Sequence, residues 1–230
     1  MIKIYPKDEL GHHDHGWLNT RYHFSFASYY NPNRKGFGAL KVINDDIITP
    51  KSGFDFHSHK NMEIITYVRS GEISHEDSQG NSETIRSGSV QVMSAGSGIV
   101  HSEYNLGEKD ASLYQIWIAP NKQDVSPKWA TKSFSRIPIK NELTLLVSGD
   151  NSALLHIHQD AFIYSGKFEA GTKIRHTIKN QAYILICLGK IKIDGKLLNR
   201  SDGAEVTGQS SIEIEAVSDA EILIIDVPSQ

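Results

Sequence analysis

From residue 38 onward the chain is a succession of short β-branched and aromatic runs, each stopped by Gly, Pro, Asn or Asp. Runs of this kind at intervals of roughly 8–12 residues indicate an all-β sandwich or barrel. Strands are predicted over residues 38–43, 54–59, 64–69, 72–76, 83–85, 89–93 and 113–118. Asn44-Asp45-Asp46 reads as a turn ending the first of these, and residues 77–81 read as a hairpin loop. Residues 1–35 are aromatic and irregular. Residues 120–138 are polar, carry Pro127 and read as a linker or crossover. Beyond them the rhythm resumes at 143–148, 153–158, 161–167, 183–188, 190–193, 211–216 and 221–227, with Asp194-Gly195 as a hairpin turn.

At 230 residues the chain exceeds one minimal barrel and fits two units of ~100 residues. The expected division is 1–132 and 133–230. With 39% hydrophobic and 22% charged residues, the composition is that of an ordinary soluble globular protein. A net charge of −3 offers no electrostatic footprint for direct nucleic-acid binding. No apolar run approaches the ~18 residues of a membrane helix, and the charged start, Met1-Ile2-Lys3-Ile4, lacks the apolar core of a signal peptide. The single Cys187 can form no internal disulfide and reads as a buried strand thiol. A cytoplasmic location is expected.

Two pairs of residues stand out, His57-Ser58-His59 and His101-Ser102-Glu103. Residues i and i+2 of a strand share one face. Two such strands side by side would converge three imidazoles and a carboxylate, a donor set that suits first-row transition metals. One His-x-His pair alone is weak evidence. The glycine-rich turn Ala95-Gly96-Ser97-Gly98 just ahead of His101 strengthens the second pair. His156 and His158 have the same spacing, but no His-x-Glu follows them and His176 stands alone, so they read as structural or surface residues. His12, His13, His15 and His23 show no pairing to a later acid. Because the set lacks the cysteines of closed structural zinc sites, an open site built for catalysis or small-molecule sensing is expected.

The stretch from Gly53 to Glu63, with Gly71 beyond it, resembles the first motif of the cupin superfamily, and residues 88–105 resemble the second. More narrowly, the chain resembles the pirin branch and its bacterial quercetin 2,3-dioxygenase-type members. This rests on His15-Gly16-Trp17-Leu18, Phe24-Ser25-Phe26-Ala27, Tyr29-Tyr30-Asn31-Pro32, residues 42–46, His75-Glu76-Asp77-Ser78 and residues 93–98. The likeness is strong over residues 10–120 and weaker beyond. Ser94, where many cupins have proline, and the closeness of Gly53 to His57 depart from the general cupin pattern but not from pirins.

The resemblance implies a bicupin, two jelly-roll-like β-barrels in one chain, with a degenerate and metal-free second barrel. It implies one divalent metal held by His57, His59, His101 and Glu103. Iron as Fe(II) comes first, with Ni, Co, Cu, Mn and Zn left open. The implied reaction is oxidative opening of a flavonol such as quercetin, with O2 inserted and CO released. Glu103 would double as the base for the flavonol 3-hydroxyl. Glu63 lies four residues past His59 and shares its face if the strand stays regular; since Lys60-Asn61 can turn the chain, it reads as a residue behind the ligands rather than a ligand. The alternative is a pirin-like redox-sensing co-regulator that binds a partner protein. A monomer is expected, because the two barrels can pack against each other.

Overall fold

The computed structural model describes residues 1–134 and 140–229. These form strands almost throughout, with one 3-10 turn at Lys7–Glu9. Among them, no helix is long and apolar enough to cross a membrane.

The strands make two barrels, each a seven-stranded sheet facing a four-stranded one. In the N-terminal barrel the large sheet runs Lys128–Ser133, Ser89–Ser94, Glu63–Ser70, Ala111–Ile118, Leu40–Ile48, Leu18–Tyr22, Gly11–Asp14. Facing it are Ser52–His59, Ile99–Asn105, Glu72–Asp77 and Ser82–Arg86. The C-terminal large sheet runs Ile2–Tyr5, Gly203–Val206, Gln181–Leu188, Ala220–Val227, Phe162–Phe168, Leu143–Ser148, Leu155–His156.

Three layers of core follow from strand alternation. The outer faces of the two large sheets bury Ile43, Ile65, Tyr114 and Ile116 of one half against Val147, Ile163, Tyr183, Leu223 and Ile225 of the other. Covering both faces of these sheets explains their nearly continuous apolar runs, and each large side chain buried there contributes about 1.5–3 kcal/mol. The C-terminal barrel interior is apolar, with Ile184, Ile186, Ile191, Ile214, Ile222 and Ile224 in one cluster. The N-terminal interior is different. Its apolar residues fall into two smaller clusters, around Ile48, Val68 and Leu113 and around Ile64, Met93 and Ile99. Between them a row of polar side chains, Tyr22, Asn44, Gln115, Thr66, Gln91 and Thr131, runs in register from strand to strand. Such a row is costly to bury unless something polar uses it.

The structure departs from the sequence reading in its edges. Asn44-Asp45-Asp46 does not turn; Leu40–Ile48 runs straight through it. Asp45 is taken up by Arg69 and Ser201, and Asn44 faces the barrel interior, so these residues need no solvent. The aromatic N-terminus forms three strands, of which Ile2–Tyr5 pairs with Gly203–Val206 and so completes the other barrel's sheet. Arg34 ties the halves further. Its guanidinium pairs with Glu205, donates to the Tyr183 hydroxyl at 3.0 Å and lies 3.5 Å over the Tyr5 ring. The stretch read as a linker contains Lys128–Ser133, an edge strand on Ser89–Ser94. The rest of that stretch includes residues 135–138, which lie outside the described residues.

Candidate metal centre

The centre is assembled where two strands of the small sheet pair with His101 directly opposite His57 and Ile99 opposite His59. Directly opposed residues share a face, so the three imidazoles meet inside the barrel. Their ring centroids lie 4.5 Å apart for His57 and His101, 4.8 Å for His57 and His59, and 5.0 Å for His59 and His101. One ring nitrogen from each of the three falls within 4.8 Å of the others. A second grouping at the same limit joins Glu103 to His101 and to His75. Glu103 and the His57–His59 pair line one cavity.

The register shifts between His101 and Glu103, because Glu103 opposes Phe54 rather than Asp55. This bulge puts one extra residue into Ser52–His59 and turns Phe54 to the same face as His57. Phe54 therefore lines the cavity, while Asp55 and Phe56 are exposed. The cavity measures about 190 Å³ and is walled by Phe26, Phe54 and Trp117, with Asn44 and Gln115 beside the His and Glu side chains. Trp117 stands edge-on to His59 at 4.8 Å, and Phe26 is edge-on to Trp117 at 5.3 Å.

Protonation favours ligation. His57 Nδ1 sits 2.7 Å from the Asp55 carbonyl, which can only accept, so this nitrogen carries the hydrogen and Nε2 keeps its lone pair. Burial, with His57, His59 and His75 around it, pushes the His101 pKa down to about 2. Burial and the neighbouring His57 push His59 down to about 4. Both rings are thus neutral near pH 7, as metal ligands must be. His101 is 0% exposed, and its Nε2 is a buried nitrogen with no hydrogen-bond partner among the described residues. That orphaned atom, beside two further imidazoles, fits a divalent transition metal.

Glu103 is 2% exposed and accepts from Gln115 Nε2 at 2.7 Å and Thr66 Oγ1 at 3.4 Å. Gln115 is itself held by Trp117, whose Nε1 donates to Oε1 at 3.1 Å. Burial raises the Glu103 pKa despite the nearby imidazoles and these donors. A cation beside it would reverse that preference.

Glu63 does not support the ligands. It alternates with Ile65 and Tyr67 on the outer face of the large sheet, while Thr66 and Ile64 point inward. Its carboxyl accepts from Ser94 Oγ at 2.6 Å and from the backbone N–H of His158 in the other barrel. Burial raises its pKa to about 7, against about 4.5 when unfolded. The folded state therefore binds the extra proton between these values, and this group's contribution to stability is lost as pH rises from 4.5 through 7. Glu63→Gln is expected to raise Tm relative to wild type at pH 8 and to leave it nearly unchanged at pH 4.5. Thermal unfolding at the two pH values measures this, and an equal shift at both would contradict it.

The other histidines lie elsewhere. His156 and His158 stack edge-on at 5.1 Å and join neither grouping of potential ligands. His12 bonds Asn19, and His23 is buried on the Tyr183 hydroxyl. The first 35 residues nevertheless reach the site through Phe26. Sequence reasoning gave no role to His75, Asp77, Thr66, Gln115 and Trp117. Polar residues at inward positions of apolar strands, such as Gln115 within Leu113–Ile118, were the available signal.

The chain is similar to known proteins along nearly its whole length. The family model described as Pirin matches residues 4–118, and that described as Quercetinase C-terminal cupin domain matches residues 145–227. A quercetin 2,3-dioxygenase of Escherichia coli K12 is 40% identical over 232 residues, covering 99% of each chain. A pirin-like protein of Caulobacter vibrioides is 43% identical over 230 residues, covering 98% of this chain and 99% of its own. The solved structure of the bacterial pirin YhhW from E. coli in complex with nickel(II) superposes with a TM-score of 0.94, at 39% identity and full coverage of both chains.

Proposed function

The chain belongs to the pirin family, and from that membership we propose that it is a metal-dependent dioxygenase that opens the heterocyclic ring of a flavonol such as quercetin with O2 and releases CO. The observation that carries this reading is the aromatic-walled cavity ending on His57, His59 and Glu103. A redox sensor needs no such recess, whereas an enzyme for planar aromatics does. The volume of about 190 Å³ is below the roughly 300 Å³ at which sites for drug-sized ligands begin, so it suits one end of a flavonol, with the rest held outside.

His57, His59 and His101 would hold one divalent ion, with Glu103 as fourth ligand. Fe(II) is the first choice; Ni, Co, Cu, Mn and Zn suit the same donors. When bound, the ion supplies positive charge and open coordination positions at the cavity floor. The protein's own groups do the rest. Phe26, Phe54 and Trp117 grip the flat rings and exclude water. Glu103 accepts the proton of the flavonol 3-hydroxyl, and Gln115 and Thr66 hold its carboxylate in place for that transfer. The division into a site-bearing unit, 1–132, and a metal-free unit, 133–230, belongs to the same reading, with Ile2–Tyr5 crossing over to the second unit's sheet. It is supported by the polar row confined to one barrel interior.

The test is loss of the flavonol absorption band under O2, with metal content assayed on the same sample. Glu103→Gln, which keeps size and one acceptor oxygen, is expected to slow turnover by about 10²–10⁴-fold at saturating metal. Unchanged turnover with metal retained would remove Glu103 as the base. Metal-loaded wild type without turnover would remove the flavonol and favour a partner-binding co-regulator.

A further inference from the structure

Behind His101 stands a buried pair that the reaction above does not use. His75 lies on Glu72–Asp77, the strand on the far side of Ile99–Asn105 from His57. Its Nδ1 is 3.4 Å from His101 Nδ1, and its Nε2 is 3.2 Å from Asp77 Oδ2. The His75 and Asp77 side chains are fully buried. Trp129, on the edge strand Lys128–Ser133, stacks on the His75 ring at 5.3 Å with the planes 18° apart.

We propose that Asp77 and His75 are positioning residues that fix the tautomer of His101, so that its inward nitrogen is always free to bind the metal. This rests on the metal reading given above. A carboxylate only accepts, so His75 Nε2 carries its hydrogen toward Asp77. With its hydrogen on Nε2, His75 presents the lone pair of Nδ1, and His101 Nδ1–H donates into it. The lone pair of His101 is thereby left on Nε2, the buried nitrogen without a partner. In the opposite tautomer His101 would carry its hydrogen on Nε2 and could not ligate. Metal-bound histidines generally owe their orientation to such an outer carboxylate or carbonyl. Here an imidazole is interposed between carboxylate and ligand.

Asp77 is itself fixed. Oδ1 accepts from the backbone N–H groups of Gln79 and Asn81 at 2.9 and 3.0 Å, and Asn81 Nδ2 reaches Oδ2 at 2.8 Å. Burial works against its charge, but the hydrogen bonds from Asn81, His75 and those backbone groups hold its carboxyl below the usual value. These contacts decide what Asp77→Asn does. The amide oxygen stays with the two backbone donors, the Asn81 amide turns over to accept from the new NH2, and that NH2 faces His75 Nε2 and drives it to the other tautomer. His75 Nδ1–H then points at His101 Nδ1, and the metal-binding lone pair is lost. The analogous Asp→Asn change in a catalytic triad acts by the same tautomer reversal.

The experiment is calorimetric titration of the metal-free protein with Ni(II), with the visible spectrum of the Co(II) form and the metal-free Tm recorded for each variant. Wild type is expected to bind one Ni(II) per chain. Asp77→Asn and His75→Phe, the latter keeping a flat ring on Trp129, are expected to bind about 10–100-fold more weakly and to change the Co(II) spectrum. His75→Asn, which keeps an acceptor oxygen near the Nδ1 position, is expected to recover most of the affinity. Wild-type affinity and spectrum in both Asp77→Asn and His75→Phe would overturn the inference while leaving the metal site standing. Equal weakening in His75→Asn and His75→Phe would overturn it too, because packing rather than the acceptor would then be at work. Failure of wild type to bind Ni(II) would overturn the metal site and the inference together.

Discussion

His101→Ala is expected to weaken metal binding by more than about a hundredfold and to abolish flavonol turnover, with the protein still folded. Loss of an outer hydrogen-bond partner alone costs 10–100-fold in affinity, and on the proposed reading this change removes a ligand outright. His101 is the central member of the site, since it belongs to both groupings of potential ligand atoms. It lies on the four-stranded sheet, whereas the barrels are joined through the opposite, seven-stranded sheets. The change therefore leaves the principal core untouched. Elemental analysis of metal per chain, with turnover on the same sample, checks the expectation. Full metal retention would mean that the ion sits elsewhere.

The second large effect concerns a residue with no functional group. At Gly53 an added Cβ would stand 2.2 Å from the Glu103 carbonyl oxygen and 2.5 Å from Tyr104 Cα. Both are backbone atoms of the paired strand and cannot rotate away. Ligand strands at this spacing require glycine. Gly53→Ala must separate them just beside the bulge that aims Phe54 and Glu103 into the cavity. Replacing glycine by alanine normally stabilises slightly through the unfolded chain, by about 0.4–1 kcal/mol. Here the clash should outweigh that and leave a net loss of about 2–3 kcal/mol. For a chain of this size that is a fall in Tm of roughly 4–12 °C. Thermal unfolding with and without added metal measures it, and weaker metal stabilisation is expected alongside. A Tm at or above wild type would show that the strands can part freely.

The all-β class and the two residue pairs that meet in the cavity were legible because both are local. Alternation and turn residues mark strands, and the i, i+2 spacing puts His57 with His59 and His101 with Glu103 on common faces. What pairs with what is not local. That Ile2–Tyr5 completes the distant sheet, or that Lys128–Ser133 is an edge strand supplying Trp129 behind His75, depends on register between segments far apart in the chain. Asn44-Asp45-Asp46 looked like a turn because polar residues usually seek water. In this barrel Asn44 is buried in a polar row that the chain assembles strand by strand, and Asp45 is buried against Arg69 and Ser201. Glu63 failed for a related reason. Counting four residues from His59 assumes one unbroken strand, but the chain turns at Asn61, which has φ +48°, and the next strand presents Glu63 to the opposite side.

X-ray absorption at the metal edge of the loaded wild-type protein tests the central claim most directly. The expected result is one metal per chain, surrounded by three imidazole nitrogens and a carboxylate oxygen, with the imidazole signal reduced in His101→Ala. Sulfur in the first shell, or a shell unchanged by that substitution, would place the ion away from His57, His59 and His101 and contradict the site.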